Sequence, residues 1–116
     1  MHEPSQRSDL LNVSVVPEAP YLFLALRGEL DLCSVKDLPR DDYASREDLT
    51  TVLVDLGGLR FCDLSGLRAL QSLLRTHEAQ GRTVEVVRAT PFMWRLMRMC
   101  GITYRLDRAH RADIAV

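Results

Sequence analysis

The run Thr51-Val52-Leu53-Val54-Asp55-Leu56 is mostly apolar and rich in β-branched side chains. Such a run packs on a pleated surface covered on both faces, so it predicts a central strand, closed by Gly57-Gly58. Beyond the glycines, Leu67, Leu70, Leu73, Leu74 and His77 recur at helical spacing while Arg68, Gln71, Arg75 and Glu78 face outward. Gly81 marks the end of that helix. A buried strand that passes through a short turn into an amphipathic helix is half of a crossover unit, which commits the chain to an α/β architecture.

The flanking segments fit the same plan. Leu11, Val13 and Val15 alternate, predicting a half-buried strand over 10–16, and Pro17 and Pro20 bracket a turn. Tyr21-Leu22-Phe23-Leu24-Ala25-Leu26 is apolar on both faces, which predicts an inner strand that stops at Gly28 and forms a hairpin with the first. From Asp31 as N-cap, Leu32, Val35 and Leu38 recur every three residues and predict a helix that Pro39 interrupts. The stretch 40–45 then reads as loop or a second short turn. Thr83-Val84-Glu85-Val86-Val87 is a fourth strand. Thr90 caps and Pro91 opens a helix over 92–100, Gly101 ends it, and 102–106 is a short strand or extended piece. The expected fold is α/β: a small mixed sheet made of an opening hairpin and then parallel crossovers, with helices. We expect one domain over residues 10–107, a flexible leader over 1–9 and a tail over 108–116.

Composition limits the function classes. A chain of 116 residues, 47% hydrophobic and 27% charged, is one globular unit. Its apolar runs fall far short of the ~20 residues a membrane helix needs, and Met1 to Arg7 lack the apolar core of a secretory signal. A cytoplasmic protein is expected. Cys33, Cys62 and Cys100 are odd in number and widely spaced, and His2, His77 and His110 have no ligand spacing, so neither a disulfide framework nor a metal site is expected, and no cofactor. Residues 1–63 hold 12 acids and 6 bases, residues 64–116 hold 4 acids and 9 bases. That polarity can orient a charged partner, but the basic half has no dense cluster interleaved with aromatics, so nucleic acid is not expected as one.

The chemistry concentrates in Phe61-Cys62-Asp63-Leu64-Ser65-Gly66-Leu67, where strand passes into helix. The first helical turn leaves backbone N–H groups unpaired at the positive end of the helix dipole, and such a site accepts a carboxylate or a phosphate. Asp63 and Ser65 are both candidate occupants and candidate caps.

This turn resembles the signature of anti-sigma factor antagonists, which are STAS domains: aspartate, serine, serine or threonine, glycine, leucine at the start of a helix after a central strand. Gly28-Glu29-Leu30-Asp31-Leu32 is similar to the family's exit from its second strand, Ala89-Thr90-Pro91 to the entry of its last long helix, and Gly101-Ile102 to the pair that closes it. The similarity covers roughly residues 10 to 107. It implies a bacterial transcription regulator that captures an anti-sigma factor, itself a serine kinase, frees a sigma factor, and is released on phosphorylation by that kinase. The chain itself would catalyse nothing.

The sequence departs from the pattern where the acceptor hydroxyl directly follows the aspartate, because that position is Leu64; Ser65 matches the second hydroxyl. A shift of one residue turns a helical side chain by about 100°. Either Ser65 is a substitute phosphoacceptor, or the protein binds its partner without this control. Asp63, Leu64, Ser65, Gly66 and Arg68 are therefore candidate partner-binding residues. The last helix holds two charges in nine residues; with Phe92, Leu96 and Met99 as its inward stripe, Met93, Trp94 and Met97 join the candidates on a second face. A homodimer is left open. One alternative is a STAS module that serves another assembly, such as a sensory complex or a lipid-transport subunit. From a different class, a small hydrolase or phosphotransfer enzyme would use Cys62 or Ser65, but no histidine lies near either in sequence and the flanks form no nucleophile elbow.

Overall fold

The computed structural model describes residues 10–40 and 43–106. The predicted leader 1–9 and tail 108–116, and positions 41 and 42 of the predicted loop, lie outside the described residues. The chain forms one five-stranded sheet in sequence order. Strand β1 (Leu11–Glu18) is antiparallel to β2 (Tyr21–Leu30), and β3 (Thr51–Cys62), β4 (Thr83–Ala89) and the two-residue β5 (Arg105–Leu106) follow in parallel. Helix α1 (Leu64–Ala79) joins β3 to β4 and helix α2 (Pro91–Met99) joins β4 to β5. This is the predicted mixed sheet with an opening hairpin and parallel crossovers.

Alternation sets the core. Leu22, Leu24, Leu26, Val52, Val54, Val84 and Val86 point to one face and pack with Leu67, Leu70 and Leu74 of α1 and Met93 and Met97 of α2 in a single apolar cluster. No described element lies over the opposite face.

The strands are longer than their sequence signals, for three physical reasons. Pro17 belongs to β1, because on an edge strand its missing N–H breaks no ladder bond. Gly28 lies within β2, at φ 101°, and a Cβ there would stand 2.1 Å from the Leu10 carbonyl oxygen. Gly57-Gly58 does not end β3: the pairing slips by one residue between Ala25 and Arg27, and again between Gly28 and Glu29, so β3 carries two bulges and continues to Cys62. β2 is an inner strand as expected, yet only one of its faces is buried; Tyr21 and Phe23 stand on the open side, 41% and 37% exposed.

The helix predicted from Asp31 is absent. Asp31 Oδ1 accepts from the N–H groups of Cys33 and Ser34, both at 3.0 Å, and the Ser34 hydroxyl donates to the Glu29 carbonyl at 2.9 Å. These local bonds compete with helix formation and leave a turn followed by a 3-10 turn at Val35–Asp37. Leu32, grouped above with Val35 and Leu38, is 70% exposed.

The long connection before β3 is fastened by Arg82, 6% exposed. Its guanidinium donates to the carbonyls of Leu49 at 2.8 Å, Arg46 at 3.3 Å and Tyr43, and to Gln80 Oε1 at 2.5 Å, and stands 3.0 Å from His77 Nδ1. One side chain thus ties the 43–49 segment to the end of α1. Replacing it with an apolar residue orphans several buried acceptors, so Arg82→Met is expected to cost about 3 kcal/mol, read as a lower midpoint in chemical denaturation at unchanged slope.

Candidate functional site

The two bulges carry β3 past the end of β4, whose pairing stops at Leu56 with Ala89. From there β3 runs against β2 alone, up to Cys62 with Leu30. The turn read from the sequence is therefore one residue long: Phe61 and Cys62 are strand, Asp63 is the N-cap and Leu64 is already helix.

Asp63, and not Ser65, is the cap. Its Oδ1 accepts from the Gly66 N–H at 2.7 Å and its Oδ2 from the Leu32 N–H at 3.4 Å, while its own N–H donates to the Leu30 carbonyl at 3.2 Å. The carboxylate joins the helix start to the turn after β2. Gly66 is buried, and a Cβ on it would lie 2.3 Å from the Leu30 carbonyl oxygen. Only glycine lets the first turn of α1 sit this close to β2.

Leu64 and Ser65 point outward from the first two helical positions, and Arg68 follows one turn on, also exposed. Leu64 does not fold back on the core: it is 48% exposed; the Asp63 carboxylate bonds the backbone of Leu32, itself exposed, and Phe61, 44% exposed, lies three residues before Leu64. Phe61, though within the turn read from the sequence, and Leu32 are not among the partner-binding candidates named above. The bulges shift the strand's alternation before Phe61, and the Asx turn at Asp31 removes the helical face on which Leu32 was placed; neither leaves a periodic trace.

Helix α2 presents the reverse of the predicted stripe. Thr90 Oγ1 accepts from the Met93 N–H at 3.2 Å and Pro91 opens the helix, as expected. Met93 and Met97, however, are 0% and 2% exposed, and Trp94 is half-buried, while Phe92 and Met99 face solvent. A spacing of four admits either pair, 92/96 or 93/97; Met93 and Met97 join the core cluster with Leu56, Leu67 and Leu70, and of the predicted stripe only Leu96 is partly buried against it. Met93 and Met97 thus offer no surface to a partner.

Cys62 is buried at 2% exposure, and its thiol donates weakly to the Asp63 carbonyl at 3.4 Å. Burial, with added repulsion from Asp63, Asp31 and Cys100, pushes its pKa up to about 12. It is a protonated core thiol at neutral pH, the opposite of an activated nucleophile. Among the described residues no group of three His, Cys, Asp or Glu is placed to hold a metal ion, and no helix is long and apolar enough to cross a membrane.

Comparison with known proteins agrees with this architecture. The family model described as "Mlab, STAS domain" matches residues 18–106. The chain belongs to the STAS domain family. Among solved structures it is similar to the Bacillus cell fate determinant SpoIIAA in its phosphorylated form (18% identity, 90% of this chain and 100% of that one, TM-score 0.66). It is also similar to an anti-sigma factor antagonist from Mycobacterium paratuberculosis (16% identity, 93% and 97%, TM-score 0.68). A third likeness is to the murine anion transporter Slc26a9, of which the matched part is 14% (19% identity, 72% of this chain, TM-score 0.61). At these identities the likeness is one of fold. No curated protein matches the sequence.

Two outcomes are expected. Asp63→Ala removes the cap and the bond to Leu32, and should cost about 1 to 2 kcal/mol of stability in denaturant melts, whereas Leu64→Ser, at an exposed position, should stay within about 0.5 kcal/mol. In a thiol titration of native protein at pH 8, the exposed Cys33 and Cys100 should react at once and Cys62 only on unfolding. Because the unfolded thiol ionises near 9.0 and the folded one near 12, stability from this group is intact below pH 9 and falls as pH rises through that interval.

Proposed function

We propose that this STAS domain is an anti-sigma factor antagonist: a binding module that captures an anti-sigma factor of the serine-kinase kind and so frees a sigma factor for transcription, in the cytoplasm of a bacterium. The observation that carries this reading is the start of α1, where Asp63 is fully occupied as a cap and Leu64 and Ser65 are turned to solvent. The strand–helix junction spends its acidic residue on structure and offers the next two side chains for contact. Leu64, Leu32 and Phe61 give that contact an apolar centre, and Arg68, one helical turn on, is a further contact residue; Trp94, half-buried on α2, is a second contact element. Full burial of Leu64 alone is worth about 1 to 2 kcal/mol.

Ser65 is the proposed phosphoacceptor. A phosphate there adds about −1.5 to −2 charges within an interface, beside the carboxylate of Asp63. The local helix N-terminus attracts that charge, but desolvation on docking and repulsion from Asp63 oppose it, so phosphorylation would release the partner. A second reading is favoured by Leu64, which stands where the family's acceptor hydroxyl is expected: the domain then binds constitutively, as a module of another assembly such as a sensory complex or a lipid-transport subunit.

One set of measurements separates these. Binding of the cognate anti-sigma factor is measured for wild type, Leu64→Asp, Ser65→Ala and Ser65→Glu, and intact mass is recorded after incubation with that kinase and ATP. The proposal expects binding that weakens at least about tenfold with Leu64→Asp. A phosphate gained by wild type but not by Ser65→Ala, with binding lost in Ser65→Glu, identifies the switch. Binding with no mass gain and indifference to both serine variants identifies the constitutive module. Absence of binding by the wild type rejects antagonism altogether.

A further inference from the structure

The open face of the sheet lies away from α1 and from Leu64, and its side chains are sorted by size along the strands. The rows follow from the pairing: Val16, Phe23, Leu53 and Glu85 lie across one row, and Ser14, Ala25, Asp55 and Arg88 across the next. The first row and Tyr21 below it are bulky, with Val16 47%, Tyr21 41% and Phe23 37% exposed. The Tyr21 and Phe23 rings are 5.8 Å apart. The second row has small residues on β1 and β2, and beside Phe23 opens a hollow of about 350 Å³ lined by Ala25, Leu53, Asp55, Val87 and Arg88. The rows differ in charge as well: one holds an acid, the other an acid and a base paired together. Glu85 stands in the bulky row, and Arg88 in the small row, 2.8 Å from Asp55.

We propose that this face is a homodimer interface in which two copies pack sheet to sheet about a two-fold axis perpendicular to the strands, between the two rows. Such an axis lays each strand over its own symmetry mate with the strand direction reversed. Phe23 then enters the hollow over the second copy's Ala25, Val16 covers the second copy's Ser14, and Glu85 meets the second copy's Arg88. The rotation matches bulk to hollow on β1 and β2 and acid to base on β4, as an isologous contact requires; on β3 it sets Leu53 over the second copy's Asp55, whose carboxylate keeps Arg88 as its partner. Four strands at about 4.8 Å and eight residues at about 3.3 Å give a face of roughly 500 Å² per copy, so the pair just reaches the ~1,000 Å² of a specific interface. The dimer is therefore a weak one, assembling with concentration, and it leaves Leu64 and Ser65 of both copies uncovered.

Sedimentation equilibrium of the full chain over a micromolar concentration series tests it. Wild type should shift from monomer to dimer. Phe23→Ala empties the hollow and Ala25→Phe fills it, so each should weaken association about tenfold or more. The double variant Phe23→Ala/Ala25→Phe exchanges bulk and hollow in both copies and should recover most of the wild-type association, a result that simple loss of apolar surface does not produce. Circular dichroism checks that these surface variants keep the fold. A wild-type chain that stays monomeric throughout overturns the proposal and leaves the face to a different protein. A dimer indifferent to both single changes, or a double variant no better than the singles, overturns the arrangement as well. None of these readings depends on the anti-sigma partner.

Discussion

The backbone carbonyl of Leu30, at the end of β2, is the point on which the site is built. It accepts from the Asp63 N–H at 3.2 Å, and its oxygen occupies the space in which any side chain on Gly66 would begin. The first turn of α1 is thereby seated on the sheet and not merely connected to it. That seating requires β3 to continue beyond the reach of β4, which the two bulges allow, and it fixes the direction in which Leu64 and Ser65 leave the helix. The exposure of those two residues is a consequence of backbone packing beneath them.

What the sequence revealed was what depends on near neighbours. The apolar run 51–56, the heptad-like spacing of Leu67, Leu70 and Leu74, the Thr90-Pro91 start and the Gly81 and Gly101 stops are all local devices, and each is found where its residues predict. The parts where the structure departs from the local pattern depend on tertiary choices. Gly57-Gly58 punctuates many chains, but here the aliphatic stem of Arg27 lies across Gly58 and the strand continues. In α2, Phe92/Leu96 and Met93/Met97 have the same spacing, and only the position of the α1 leucines decides which pair is covered. At Asp31 and Ser34, side-chain bonds to nearby backbone overrode a helical period that was real in the sequence. For the cap the sequence offers Asp63 and Ser65 alike, and the fold chooses Asp63 by ending the strand at Cys62.

The two sides of the sheet are held to different standards. The inner side is a continuous apolar cluster, closed at the lower end by Arg82, whose bonds reach the 43–49 segment and the end of α1. The outer side mixes aromatic rings, a hollow and an ion pair between Asp55 and Arg88. Because α1 and α2 both use the inner side, surface chemistry can change on the outer side without disturbing the junction between β3 and α1.

The occupancy of Asp63 has a consequence for how this site changes over time. The aspartate and the glycine three positions on are held by helix initiation and by contact with Leu30, so selection for foldability alone preserves them. Leu64 and Ser65, which lie between them, answer to no such requirement. A substitution at 64 or 65 can therefore rewrite the chemistry that the helix start presents while the backbone frame that presents it stays intact.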